Sequence, residues 1–324
     1  MKARILMPLL QYGSLLVAQL GTTVKQFSMK KCGAIAPGPF QSVCINTIRV
    51  TVCFFVSLML WLIADGQGST LTGNLIAVAS GVGTALSLFC WILASGLVSL
   101  TLLEAVITLA TTVAPLVLAP FLYNGETPTL LQWLGCLLIC ASLCFFMKPA
   151  PKKEEQKKRR TLSGAIAAVL ILAGAAVGVA SAMILKKYYT FHVTEGGLGS
   201  AEYFTLIQFA GALGFFALLI VPLYFAEKRR LASTSDEMQP APRVIFPIGR
   251  LWPYILMAAV ALYVNELFTV YASTLPSALF YLLTKSLTIL CTFFMDLFLY
   301  RERFTWKRAV GLVLVLAAVV LVNL

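Results

Sequence analysis

The sequence predicts an all-α membrane protein of ten transmembrane helices, arranged as two inverted five-helix repeats. Three observations predict it: long apolar runs, too little charge for a watery surface, and a motif that recurs at the same place in each half. Of 324 residues, 60% are apolar and 12% charged, with a mean hydropathy of +0.89. A soluble domain carries roughly twice that charged fraction. Runs such as Ile5–Leu20, Val50–Ile63, Val98–Ala110, Ala165–Leu185 and Ala309–Val322 approach the ~20 residues needed to cross a ~30 Å hydrocarbon core. Lipid offers backbone amides no partners, so helices follow. No period-2 alternation points to a barrel.

Ten helices are expected near residues 5–25, 40–63, 72–94, 98–122, 130–147, 163–185, 201–225, 251–272, 276–299 and 306–323. Turn residues mark the breaks: Pro37-Gly38-Pro39, Asp65-Gly66-Gln67-Gly68, and Gly125 with Pro128. The chain divides into a first repeat (1–147), a basic linker (148–162) and a second repeat (163–324) with a long polar loop at 226–250. Lys2 and Arg4 precede the first apolar run as in a signal peptide, but the run is long, holds Gln11 and Gln19, and lacks a cleavage site. It is expected to remain as the first helix.

The repeat is read from Glu126-Thr127-Pro128-Thr129 laid over Glu302-Arg303-Phe304-Thr305. Gly135 and Gly311 follow at equal spacing, and Thr108 falls on Thr284. Each motif lies between the fourth and fifth helix of its half. An odd number of helices per half threads the second half upside down, an arrangement common in secondary transporters.

The stretch Thr108–Gly135, with Pro115, Gly125-Glu126 and Trp133-Leu134-Gly135, resembles the EamA-like domain of the drug/metabolite transporter superfamily, as does Leu275–Gly311 with Tyr300-Arg301-Glu302. Arg49 matches a basic residue common in that domain. Asn124 and the length of the 226–250 loop depart from the pattern. The resemblance implies a ten-helix fold with a central cavity and alternating access. It names no solute.

Assigned alternately to two sides, the loops place nineteen Lys/Arg on one side and four on the other, with Arg49 and Lys285 inside helices. The rich side is expected to be cytoplasmic and both termini to face outward; many members of the resembled family have cytosolic termini instead. Lys25 is counted in the first rich loop, and Lys186 and Lys187 in an outer one. This distribution accounts for the net charge of +12 without nucleic acid.

Candidate site residues are those that lipid penalises. Arg49, Glu104, Glu266 and Lys285 lie ~9–14 Å from a helix end, near the middle of the core. Tyr263, Asn265, Tyr281 and Gln208 add hydrogen-bonding groups beside them. On one reading these residues line a transport cavity for a small-molecule substrate, with Glu104 or Glu266 coupling transport to protons. On the other, Arg49–Glu104 and Glu266–Lys285 are structural ion pairs. Tyr271 reads as interfacial, Asp296 as a snorkelling residue, and Gln11 and Gln19 share one helix face. Gly174-x-x-x-Gly178 reads as a packing face.

No cofactor or metal site is expected. Cys136, Cys140 and Cys144 form a row on one helix face, but no His or carboxylate joins it. The single histidine, His192, reads as a solvated loop residue, which leaves an intramembrane enzyme little to work with. No nucleotide-binding motif is present to drive transport by ATP. The expected function is therefore a multi-pass secondary carrier of a small polar or amphipathic metabolite or drug in a plasma membrane, of bacterial inner-membrane type. A nucleotide-sugar-type exchanger of the same fold would call for more basic cavity residues than Arg49 and Lys285. A non-transporting scaffold or receptor gains little from buried charge.

Overall fold

The computed structural model of the chain describes residues 2–36, 38–63, 68–97, 100–123, 125–146, 162–192, 201–232, 248–298 and 305–323. Those residues form ten helices and no strand: α1 (Lys2–Ile35), α2 (Pro39–Ile63), α3 (Leu71–Leu97), α4 (Leu100–Leu122), α5 (Leu130–Phe146), α6 (Leu162–His192), α7 (Ala201–Ala232), α8 (Ile248–Ala272), α9 (Ser277–Phe298) and α10 (Trp306–Asn323). Six of them, α2, α3, α6, α7, α8 and α9, are long and apolar enough to cross a membrane. The apolar stretches of α4, α5 and α10 are shorter. Large apolar side chains cover the outside, with Phe121 82% and Leu218 78% exposed. Such a mantle would aggregate in water and is at ease only in lipid. The chain is a multi-pass helical membrane protein.

Helix pairing fixes the centre. α1 lies on α8, α3 on α6 and α7, α2 on α7, and α5 on α10, while α4 packs against α6 and α9. Glycine permits α6 to approach α3 and α1 to approach α8 closely. A Cβ added at Gly178 of α6 would lie 2.7 Å from the Gly83 carbonyl oxygen and 2.7 Å from the Ser87 nitrogen of α3. One added at Gly21 of α1 would lie 2.9 Å from the Ala261 carbonyl oxygen and 3.2 Å from the Asn265 nitrogen of α8. Gly174 meets Cys90 of α3 in the same seam, the packing role expected of the Gly174/Gly178 pair.

The bundle has two dissimilar ends. At the turn end lie the α8–α9 turn, the Thr190–His192 end of α6, Tyr123, and Glu202 of α7, joined by the contacts described below. At the basic end the ring of Phe40 of α2 packs tilted against that of Tyr224 of α7, centroids 5.7 Å apart. Lys30 and Lys31 of α1 and Lys228, Arg229 and Arg230 of α7 also lie toward this end.

Three helices outrun their expected limits by seven residues or more, and two of the extensions change the chemistry. α1 continues to Ile35, so Lys25 stands on a helix rather than in a loop. α6 continues to His192, so Lys186, Lys187 and His192 are helical, not loop residues. The reason is local: Lys186 and Lys187 find buried oxygen partners, which removes the cost of continuing the helix past the apolar run. α7 runs to Ala232 and takes up the start of the expected 226–250 loop. Residues 147–161 and 233–247, most of the linker and of that loop, lie outside the described residues.

Candidate functional site

Glu266 is the hub. It sits on α8, 5% exposed, and its carboxylate oxygen accepts from Lys186 Nζ of α6 in a buried ion pair. The same oxygen accepts from Gln208 Nε2 of α7 at 2.6 Å, and Gln208 also donates to Thr84 Oγ1 of α3 at 2.9 Å. Four helices therefore meet around one carboxylate. Lys186, rather than the Lys285 of the ion-pair reading, is the cation that holds Glu266. Removing one member of a buried pair strands the other, at a cost of about 3–5 kcal/mol.

One residue before the hub, Asn265 ties α8 to α1. Its Nδ2 donates to the Ala18 carbonyl at 3.0 Å and to Thr22 Oγ1 at 2.7 Å, while Lys25 Nζ approaches its Oδ1 at 3.5 Å. Farther along, Gln19 Oε1 accepts from Thr288 of α9 at 2.6 Å, and Gln11 Nε2 donates to Thr274 at 2.8 Å. Gln11 and Gln19 thus share the face that meets the α8–α9 segment.

A cavity of about 90 Å³ opens among α1, α3, α4, α6 and α9. Thr22, Lys25, Met29, Ser87, Lys285 and Thr288 are among the residues that line it. Behind its wall lies Arg49 of α2, fully buried. Arg49 Nη1 donates to Asn46 Oδ1 at 2.7 Å and touches the Met29 sulfur at 2.6 Å. Its Nε and Nη2 have no hydrogen-bond partner among the described residues. Among the described residues this buried guanidinium is held by an amide and a thioether, which makes it costly to keep.

The remaining candidates fall in different places. Lys285 lines the cavity, 7% exposed. Glu104 is on α4, but its side chain, like that of Asp296 on α9, lies outside the described residues. Tyr263 is buried in the α2–α7–α8 core beside Phe209, and its hydroxyl has no partner among the described residues. Tyr281 is fully buried but does not border the cavity; its hydroxyl pairs with that of Tyr123 at 2.7 Å. Tyr271 hydrogen-bonds to Glu202 at the turn end.

That Tyr123–Tyr281 contact belongs to a second cluster, which ties the turn end together. Gly125 adopts φ +82°, a left-handed conformation suited to glycine. The turn it makes delivers Glu126 to the start of α9, where its carboxylate accepts from the Ser277 backbone N–H at 3.0 Å and from the Ser277 hydroxyl. The Gly125-Glu126 pair thus acts as a tight turn followed by a helix cap. Lys187 Nζ donates to the Leu275 carbonyl at 2.5 Å and lies over the rings of Tyr123 and Phe191. Thr190 donates to Ser273 O at 3.2 Å, and His192 Nε2 contacts Leu122 O at 2.8 Å.

Lys25 and Lys186 are not among the candidates that the sequence singles out. Both follow an apolar run and precede further polar residues, the usual look of a helix end. The signal that could have found Lys25 is its helical spacing: Thr22, Lys25 and Met29 recur at intervals of three and four and fall on one face.

Comparison with known proteins gives fold without identity. No family model matches the chain, and no curated protein matches it. Twenty-one chains of known structure are similar, among them one described only as a crystal structure of a protein. That similarity covers 98% of this chain and 97% of the other at TM-score 0.65, with 14% sequence identity. At this identity the likeness extends to the fold, along nearly the whole of both chains.

Proposed function

We propose that the chain is a secondary carrier of the drug/metabolite type, moving a small solute by alternating access between two inverted five-helix repeats. The observation that carries this reading is a charged cavity at the junction of the two halves, lined from α1, α3 and α4 on one side and α6 and α9 on the other. A scaffold has no use for lysines in the wall of a central hollow, and such charges are costly to retain in lipid.

Helix pairing supports the inverted repeat. Exchanging α1 with α6, α2 with α7, and so on to α5 with α10, turns the α1–α8 contact into the α6–α3 contact. The pairs α2–α7, α4–α9 and α5–α10 map onto themselves. The Gly21 and Gly178 crossings correspond atom for atom. Each glycine enters a groove made by a carbonyl oxygen and the amide nitrogen four residues on: Ala261 and Asn265 for Gly21, Gly83 and Ser87 for Gly178. Two such grooves are natural pivots for a rocking motion.

Charge supports the orientation. With Lys186 and Lys187 drawn into α6, the sequence segments at the turn end hold no Lys or Arg beyond Lys2 and Arg4. The basic end is then cytoplasmic and the termini external. A plasma membrane of bacterial inner-membrane type fits this asymmetry. Glu266 is the candidate for proton coupling, because releasing it from Lys186 requires neutralising one of the two.

Purified protein in proteoliposomes provides the test. Saturable, protein-dependent counterflow is expected with at least one of three metabolite pools (anionic, neutral or cationic), and its loss is expected in Glu266→Ala. Absence of counterflow from all three pools would sink the carrier reading.

A further inference from the structure

We infer that the central cavity receives a small organic anion, its carboxylate or phosphate group seated by Lys25 and Lys285 with the Arg49 guanidinium behind them. The inference rests on the carrier reading and adds to it the charge of the solute.

The charges at the centre do not balance. Lys25 lies within electrostatic reach of Arg49, Lys186 and Lys285, all cations, and of one described carboxylate, Glu266. That carboxylate is already engaged by Lys186 and Gln208. Counting Glu104 as a full negative charge still leaves the centre positive. Lys25 has a neutral amide oxygen for company, at 3.5 Å, and Arg49 has two guanidinium nitrogens without a partner among the described residues. A neutral solute would leave this excess uncompensated. A cationic one would add to it, whereas an anion cancels it.

The donors facing the space are of the right kind. Thr288 donates to Gln19 and Thr284, and Ser87 donates to the Thr84 carbonyl, so these lining hydroxyls have partners already. Ammonium groups, each with three donors, supply the charge at the wall. Met29 touches both the cavity and Arg49. Its thioether chain has three rotatable bonds, so a small rotation of Met29 would clear the way between the planar fork of Arg49 and a bound oxyanion. At about 90 Å³ the cavity is well below the roughly 300–1,000 Å³ of pockets that enclose a drug-sized molecule. It therefore matches an anionic head group, not an entire large ligand.

The experiment measures binding and transport side by side, on full-length protein in nanodiscs and in proteoliposomes. Three probe sets are used: citrate, a hexose phosphate and a nucleoside monophosphate; the parent hexose and nucleoside; and spermidine with a cationic dye. Sodium chloride of equal ionic strength serves as the blank. At least one anion is expected to raise the unfolding midpoint and to undergo counterflow, while its neutral parent does neither. Lys25→Gln is expected to weaken that binding about tenfold or more, and Lys25→Arg to restore most of it. Arg49→Lys, which keeps the charge but loses the fork, should weaken it less. Stabilisation by neutral or cationic probes alone would overturn the anion assignment, as would anion binding indifferent to both Lys25→Gln and Arg49→Lys. If Lys25→Gln fails to fold, Arg49→Lys decides: unaltered anion affinity in that variant overturns the assignment. Counterflow of a neutral or cationic solute without anion binding would leave a carrier of another substrate class. Anion binding without counterflow would keep the site and defeat the carrier.

Discussion

The turn end and the cavity half of this molecule handle polar groups in opposite ways. At the turn end nearly every polar group named above has its partner within the chain: Glu126 with Ser277, Lys187 with Leu275, Tyr123 with Tyr281, Thr190 with Ser273. Beside the cavity, Arg49 keeps two nitrogens without a partner among the described residues, and Lys25 rests on an amide. Satisfied polar groups lock a structure; under-satisfied ones are a standing demand for something else. On the proposed carrier mechanism, the contrast corresponds to a closed gate at one end and a waiting site at the centre. Glu266 lies between them, joined to α6, α7 and, through Gln208, α3.

The largest effect is expected at that hub. Glu266→Ala leaves Lys186 buried and uncompensated, and should lower unfolding stability by about 3–5 kcal/mol, read from the denaturation midpoint in detergent. The double variant Glu266→Ala/Lys186→Met removes both charges and should recover much of the loss. No recovery would mean that the pair is not the coupled unit described here.

Gly178→Ala comes next. Its methyl group would be forced against the Gly83 oxygen and the Ser87 nitrogen. The expected cost is about 1–3 kcal/mol, typical of overpacking. Gly21→Ala, in the matching groove of the other half, should cost less, since its nearest contact is 2.9 Å instead of 2.7 Å. Equal tolerance of both in thermal unfolding would weaken the pivot assignment.

Loosening the turn end should cost less stability and change access more. Glu126→Ala removes the cap on α9, at about 0.5–2 kcal/mol, and should raise labelling of a cysteine at Thr22 from the turn-end side, external in the proposed orientation. Tyr281→Phe deletes one hydroxyl–hydroxyl bond, worth about 0.5–1.5 kcal/mol, with a smaller change in labelling. If neither alters external access, the hydrogen bonds at the turn end are packing and not a gate.

Much of this is legible in the sequence, for reasons that differ by residue. Helices in lipid announce themselves through composition, and Glu266, Lys285 and Arg49 stand out because apolar runs hide nothing ionisable. Glu126 is visible as a repeated motif, although its task of capping α9 across more than 150 residues is not. Lys186 and Lys25 are hidden because the limit of an apolar run is not the limit of a helix. Once a buried oxygen receives the ammonium, the helix continues. Tyr281 shows in the sequence as a hydrogen-bonding residue of the interior, but which interior group it meets depends on how α4 and α9 cross, a tertiary fact that no local pattern encodes.

The most direct measurement is sided accessibility of the cavity. In a variant whose native cysteines are replaced, Ser87→Cys is labelled in oriented membrane vesicles by a membrane-impermeant thiol reagent applied to one face at a time. Reaction is expected from the basic face, cytoplasmic in the proposed orientation, and little from the other, with the preference reversed or relaxed by Glu126→Ala. Protection from both faces, in parent and variant alike, would mean a dry centre with no passage, and would contradict alternating access through this cavity.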